Sequence, residues 1–175
     1  MYSYVNKKLN ELERKAYVIW VLFLDIFRRE NGYIKRNIGN HIMYLDPYDA
    51  KTGISQTLRR MRPGQPDREP CFMHILKEEV KSDMVTLDLG ANIGYLTLIM
   101  AEIVGKKGKV YALEPDENNF IILTENIKLN GYENIITPFH LGGSNKTGTM
   151  TFYRSNASNL GSMQKTKFAT IPVEL

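Results

Sequence analysis

The segment Asp88-Leu89-Gly90-Ala91-Asn92-Ile93-Gly94 joins an apolar run, Val85 to Leu89, to a helical pattern from Ile93 to Val104. Glycine at 90 lets the chain leave a strand and turn sharply, and glycine at 94 admits a ligand or the sheet close to the helix start. The free N–H groups of that helix face whatever lies over the strand ends. In an open α/β sheet that crevice is the ligand position. A second apolar run, Lys109 to Leu113, ends in Glu114-Pro115. A carboxylate at such a strand tip accepts hydrogen bonds from both hydroxyls of a ribose, and Glu114 follows Gly94 by about the 20 residues that such folds use. The other role open to Glu114 is a solvent-facing carboxylate that caps the next helix.

The glycine spacing narrows the ligand. Gly-x-x-x-Gly is not the Gly-x-Gly-x-x-Gly that brings backbone against a pyrophosphate, which argues against NAD and FAD. No Gly-Lys-Ser or Gly-Lys-Thr phosphate loop occurs. A ligand with a ribose and no pyrophosphate fits, and S-adenosylmethionine is the common one.

Strands and helices must alternate to position these groups. Val85–Leu89, Lys109–Leu113 and Ile135–Phe139 read as strands, with helices over Ile93–Val104 and Asp116–Leu129 between them. Asp116 is a plausible N-cap and Asn130-Gly131 an ending. This order predicts right-handed crossovers and a parallel sheet, an α/β Rossmann-like fold with Val85–Leu89 buried. Thr149–Tyr153 alternates like a β-ribbon, and Ile171-Pro172-Val173 could open a further strand.

Upstream, residues 1–32 read as an amphipathic helix ended by Asn31-Gly32. Its apolar seam is Val5, Leu9, Leu12, Ala16, Ile19, Phe23 and Ile26, which suits docking on its own domain or pairing with a second copy. Residues 33–82 hold an extended stretch to Asp49 with Ile38, Ile42 and Tyr44 on one side, then a turn at Asp46-Pro47 and a loop over Arg60–Pro70. A short helix over Phe72–Val80 follows, with Phe72, Ile75 and Leu76 on one side. Residues 83–175 form the nucleoside-binding part.

A length of 175 residues suits one domain, and 43% hydrophobic with 24% charged residues suits a soluble, cored one. The net charge of +4 is scattered, which predicts no nucleic-acid partner. The lone Cys71 excludes an internal disulfide and reads as a structural thiol. His41 and His74 share no metal-ligand spacing, so no metal is expected. His140 ends the third strand, where it either faces the crevice or is structural. Asp46 and Asp49 read as turn residues. The apolar run Ala16–Leu24 is short of the ~20 residues that span a bilayer, so no transmembrane segment and a cytoplasmic setting are expected.

The runs Asp88 to Thr97, Gly108 to Asp116 and Glu125 to Gly131 together resemble the FkbM family of class I methyltransferases, as does Met43 to Ser55 upstream. That resemblance implies S-adenosylmethionine as methyl donor and O-methylation of a small-molecule or glycan hydroxyl. It implies that the loop of Asp88, Gly90, Ala91, Asn92 and Gly94 holds the methionine end of the cofactor. Glu114, with Pro115 beside it, would hold the ribose, and Leu141-Gly142 would approach the adenine. The family has alanine where this chain has Gly142 and an acidic residue where it has Asn145. It also continues into a Lys-Ile-Asp-Val-Glu-Gly-like strand, so the expected sheet is truncated, with an open apolar edge at Val85–Leu89. That edge or the N-terminal helix would then accept a second copy or a complementing chain. The alternative reading is a non-catalytic remnant or half of a split enzyme, keeping the cofactor loop without an acceptor site.

Overall fold

Two right-handed crossovers running the same way across a parallel sheet put both of their helices on one face, and this geometry organises the computed structural model. It describes residues 2–61, 68–145, 148–162, 164–167 and 171–174. The chain opens with α1 (Tyr2–Phe27) and a small antiparallel sheet of β1 (Arg29–Glu30), β2 (Tyr33–Ile38) and β3 (His41–Leu45). Helices α2 (Ile54–Arg59) and α3 (Pro70–Glu79) lead to β4 (Val85–Leu89). Then come α4 (Tyr95–Val104), β5 (Lys109–Leu113), α5 (Glu117–Leu129) and β6 (Ile136–Phe139). The last three strands named, β4, β5 and β6, pair in parallel in that order. A third sheet pairs β7 (Thr151–Arg154) antiparallel with β8 (Ile171–Glu174).

The α/β Rossmann-like sheet expected from the sequence is present. Its core lies between β5 and the two crossover helices: Val110 and Ala112 point into Ile93, Leu98, Ala101, Val104 and Leu123, all close to fully buried. Asp116 caps α5 through Oδ1, which accepts from the N–H groups of Asn118 and Asn119.

The expectation that β4 is buried is corrected. Val85, Leu87 and Leu89 are 67%, 57% and 63% exposed, and Tyr111 and Phe139 share that face with them. Both helices sit on the other face, so among the described residues nothing covers this one. The outer edge of β4 is open as well.

Upstream, the structure differs from the expectations as well. In α1 the predicted seam does not face inward: Leu12, Ile19 and Phe23 are exposed, while Asp25 is buried. The helix docks through polar contacts instead. Asp25 Oδ2 accepts from Arg59 Nε at 2.9 Å, and the Tyr17 hydroxyl donates to the Met61 carbonyl. The side chains of Val5, Leu9 and Ile26 lie outside the described residues, as do residues 62–67 of the predicted loop. In α3, Met73 is buried, while Phe72 and Ile75 are exposed. Cys71 is exposed there, not a buried structural thiol. Ile42 is 38% exposed; inward of it are Met43, Tyr44 and Leu45.

The N-terminal sheet is held to the parallel sheet by two asparagines on successive turns of α5. Asn126 Oδ1 accepts from Tyr44 N and its Nδ2 donates to Tyr44 O and Ile93 O. Asn130 repeats the pattern on Ile42 N and O. Side-chain amides thus satisfy the edge of β3 as a neighbouring strand would.

Candidate functional site

The loop after β4 is sewn to the end of β5. Gly90 N and Ala91 N both donate to Leu113 O, at 2.9 and 3.0 Å. Gly90 and Gly94 have φ of +83° and +93°, a region that costs other residues strain. A side chain at Gly90 would meet open space, so that glycine serves the turn and leaves room above the strand end. At Gly94 a Cβ would come within 2.8 Å of the Leu123 side chain. What approaches the helix start there is the Leu123 side chain of α5. Asn92, at φ +52°, is the non-glycine residue in this loop held in the left-handed region. Its side-chain oxygen accepts from Ile93 N.

Glu114 reaches this loop from the tip of β5. It is 4% exposed, which excludes the solvent-facing cap. Its Oε2 accepts from Asn92 N at 2.7 Å, and Oε1 accepts from Asp116 N at 2.9 Å and lies 3.5 Å from Asn119 Nδ2. Burial pushes its carboxyl up from the usual range, with the bonds from Asp116, Asn92 and Asn119 pulling the other way. Asp88 lies under the loop, where Thr97 Oγ1 donates to its Oδ2 at 2.6 Å; burial raises this carboxyl too.

Other predicted residues ring the same strand ends. Pro115 is half-buried, and its carbonyl lies 3.0 Å from His140 Nε2. The His140 ring stacks on Phe120 at 5.0 Å between centroids. Gly142 is half-buried in the extended stretch after β6, and neighbouring Gly143 passes the Leu89 side chain at the end of β4. His41 is buried beside Tyr132 and Glu102, away from these strand ends, and His74 pairs with Glu78 on α3. Among the described residues no cluster suits a metal ion.

Asp46 makes the expected turn, accepting from Tyr48 N, but Asp49 is not a turn residue. It is 7% exposed and accepts from Ser55 N, Ser158 N and Ser158 Oγ. Asn119 and Ser158 were also not singled out. Asn119 was legible in principle, one helical turn beyond Glu114 and its cap; Ser158 had no local signal.

Residues 73–152 match the family model of the TRM5/TYW2 methyltransferase domain. The fold is that of an S-adenosylmethionine-dependent methyltransferase, and S-adenosylmethionine is the cofactor of the matched family. The chain is 32% identical over 113 residues to protein-L-isoaspartate O-methyltransferase of Methanosarcina mazei, covering 63% of this chain and 46% of that protein. It resembles TYW2 of P. horikoshii, solved in complex with MeSAdo, at 23% identity and a TM-score of 0.47, covering 68% of this chain and 39% of that one. It resembles aTrm5, solved in complex with tRNALeu, at 22% identity and a TM-score of 0.44, covering 64% and 29%. The chain spans from 26% to 46% of the length of the curated relatives it matches.

Two expectations are thereby corrected. The methyltransferase family matched is TRM5/TYW2 and not FkbM. The runs that carry the FkbM resemblance are of the kind that methyltransferases of different acceptors share. They hold no information on the acceptor, so a small-molecule or glycan hydroxyl does not follow from them. The expectation of no nucleic-acid partner is withdrawn likewise: aTrm5, among the similar structures, is solved in complex with tRNALeu. Scattered charge was a poor guide, because it describes the whole chain and not one surface. Among the described residues no helix is long and apolar enough to cross a membrane.

Proposed function

We propose that this chain forms the cofactor-binding part of a methyltransferase that acts on RNA. The observation that carries the cofactor half is the convergence of the Gly90–Gly94 turn and the buried Glu114 carboxylate, joined through Asn92 N at 2.7 Å. Asp88 and the loop take the methionine end, Glu114 the ribose hydroxyls, and the stretch around Gly142 the adenine side. The open space above Gly90 fits a ligand there. When bound, the cofactor supplies the methyl group. The contribution of this chain is to hold the donor in one orientation against the acceptor, which can supply much of the rate enhancement of a group transfer. The RNA half follows the description of the matched family and the tRNA complex of aTrm5.

Incubation with methyl-labelled S-adenosylmethionine and bulk tRNA tests the reading. The expected result is label in RNA, with RNA affinity falling steeply as salt rises, since phosphate contacts release counterions. Cofactor binding without label in RNA would remove the RNA half. It would favour a cofactor module that lacks acceptor chemistry, a reading to which the uncovered face of Val85, Leu87, Leu89, Tyr111 and Phe139 lends support.

The raised Glu114 carboxyl sets a pH dependence. An ionised carboxylate accepts from both ribose hydroxyls; a protonated one loses part of that capacity. Burial raises its pKa, so protonation on acidification begins above the ordinary 4.5. S-adenosylhomocysteine affinity should therefore hold at neutral pH and start to fall while a normal glutamate would still be ionised. Calorimetric titration across pH reads this, and a flat profile down to 4.5 contradicts it.

A further inference from the structure

The buried Glu114 raises a question of access. Its oxygens face Asn92 and Asn119, and the side chains of those same two residues are bridged by one carbonyl from a distant part of the chain. Ser158 O accepts from Asn92 Nδ2 at 2.8 Å and from Asn119 Nδ2 at 3.0 Å. Ser158 lies in a loop that leaves β7 and returns to it. The loop is closed at its base by paired backbone bonds between Tyr153 and Ser162. Gly161 is required at that closure, since a Cβ there would lie 2.3 Å from the Phe152 ring.

The same residue is anchored from its other side. Ser158 N donates to Asp49 Oδ1 at 3.0 Å and Ser158 Oγ to Asp49 Oδ2 at 2.9 Å. Asn156 O accepts from Ala50 N, and Ile54 N donates to Ser158 Oγ. The anchor is itself a built position: any side chain at Gly53 would overlap the Asp49 carboxylate. Ser158 is therefore clamped between a buried aspartate upstream of α2 and the two asparagines beside the ribose acid.

We propose that residues 155–161 form a strap over Glu114 that must lift for a ribose to reach it, and that Asp49–Ser158 is its latch. The proposal rests on the reading of Glu114 as the ribose acid. The Ser158 carbonyl occupies donors that a ligand oxygen would use, so strap and nucleoside compete for one cradle. A closed majority state lowers apparent affinity by the open fraction. Loosening the latch therefore tightens binding, the opposite of what removing a structural contact or a ligand contact would do.

The variant is Ser158→Ala, which deletes the hydroxyl's bond to Asp49 and the one it accepts from Ile54 N, and leaves the Ser158 backbone bonds in place. Amide hydrogen exchange comes first, because it reads the latch without any ligand. Exchange at residues 157–160 should speed up while the amides of β5 and α5 stay protected; no acceleration overturns the latch. Calorimetry with S-adenosylhomocysteine follows, in the wild type, Ser158→Ala and the double variant with Glu114→Ala. A latch loosened by the loss of the hydroxyl corresponds to affinity gained by at least roughly fivefold in Ser158→Ala. That gain should vanish in the double variant. Unchanged or weaker affinity beside a binding wild type overturns the gate while the Glu114 reading stands. Faster exchange with no binding in either protein sinks the Glu114 reading, and the gate with it.

Discussion

Glu114→Ala should weaken S-adenosylmethionine binding by at least about tenfold, or ~1.4 kcal/mol, as read by calorimetry. A carboxylate that accepts from two ribose hydroxyls makes charge-assisted bonds, each worth roughly 1.5–3 kcal/mol. The substitution has a second effect that must be measured apart. Asn92 N and Asp116 N lose their acceptor in a buried place, so the fold should also lose on the order of 1–3 kcal/mol in urea. The two effects separate because the circular dichroism of the folded state reports only the second. Binding unchanged in a folded Glu114→Ala protein would refute the assignment of the ribose acid.

The largest stability effect is expected at Asn126→Ala. This side chain is fully buried and satisfies three backbone groups: Tyr44 N at 2.6 Å, Ile93 O at 2.8 Å and Tyr44 O at 3.2 Å. Alanine fills none of those roles, and water has little access. The expected loss is about 3 kcal/mol in urea denaturation, a large share of the 5–15 kcal/mol that typically holds a domain folded. Asn130→Ala breaks the equivalent pattern on Ile42, but that strand position is exposed and water replaces the amide, so about 1 kcal/mol or less is expected. Near-equal losses would show that burial does not set the difference. Asn126→Ala should also loosen the Gly90–Gly94 loop, because Ile93 O lies inside it.

Much of the site follows from local sequence. Strand, glycine turn and helix are set by near neighbours, so Asp88 to Gly94 and the acid at Glu114 were readable from residue types and spacing. The cap at Asp116 was readable for the same reason: its bonds go two and three residues along the chain. The helix docking was not. A heptad-like seam shows which face of α1 is apolar, yet what decides its packing is Asp25 meeting Arg59, 34 residues away. The exposure of Val85, Leu87 and Leu89 could not be read from an apolar run either. Such a run marks strand character, while the hand of two crossovers decides which face is covered. Asp49 beside Asp46-Pro47 looks like turn chemistry, and only the return of Ser158, 109 residues on, makes it an anchor. Local rules fix the chemistry a short segment can offer. Contacts between distant segments decide whether that chemistry is exposed, latched or covered, because they depend on which surfaces folding brings together.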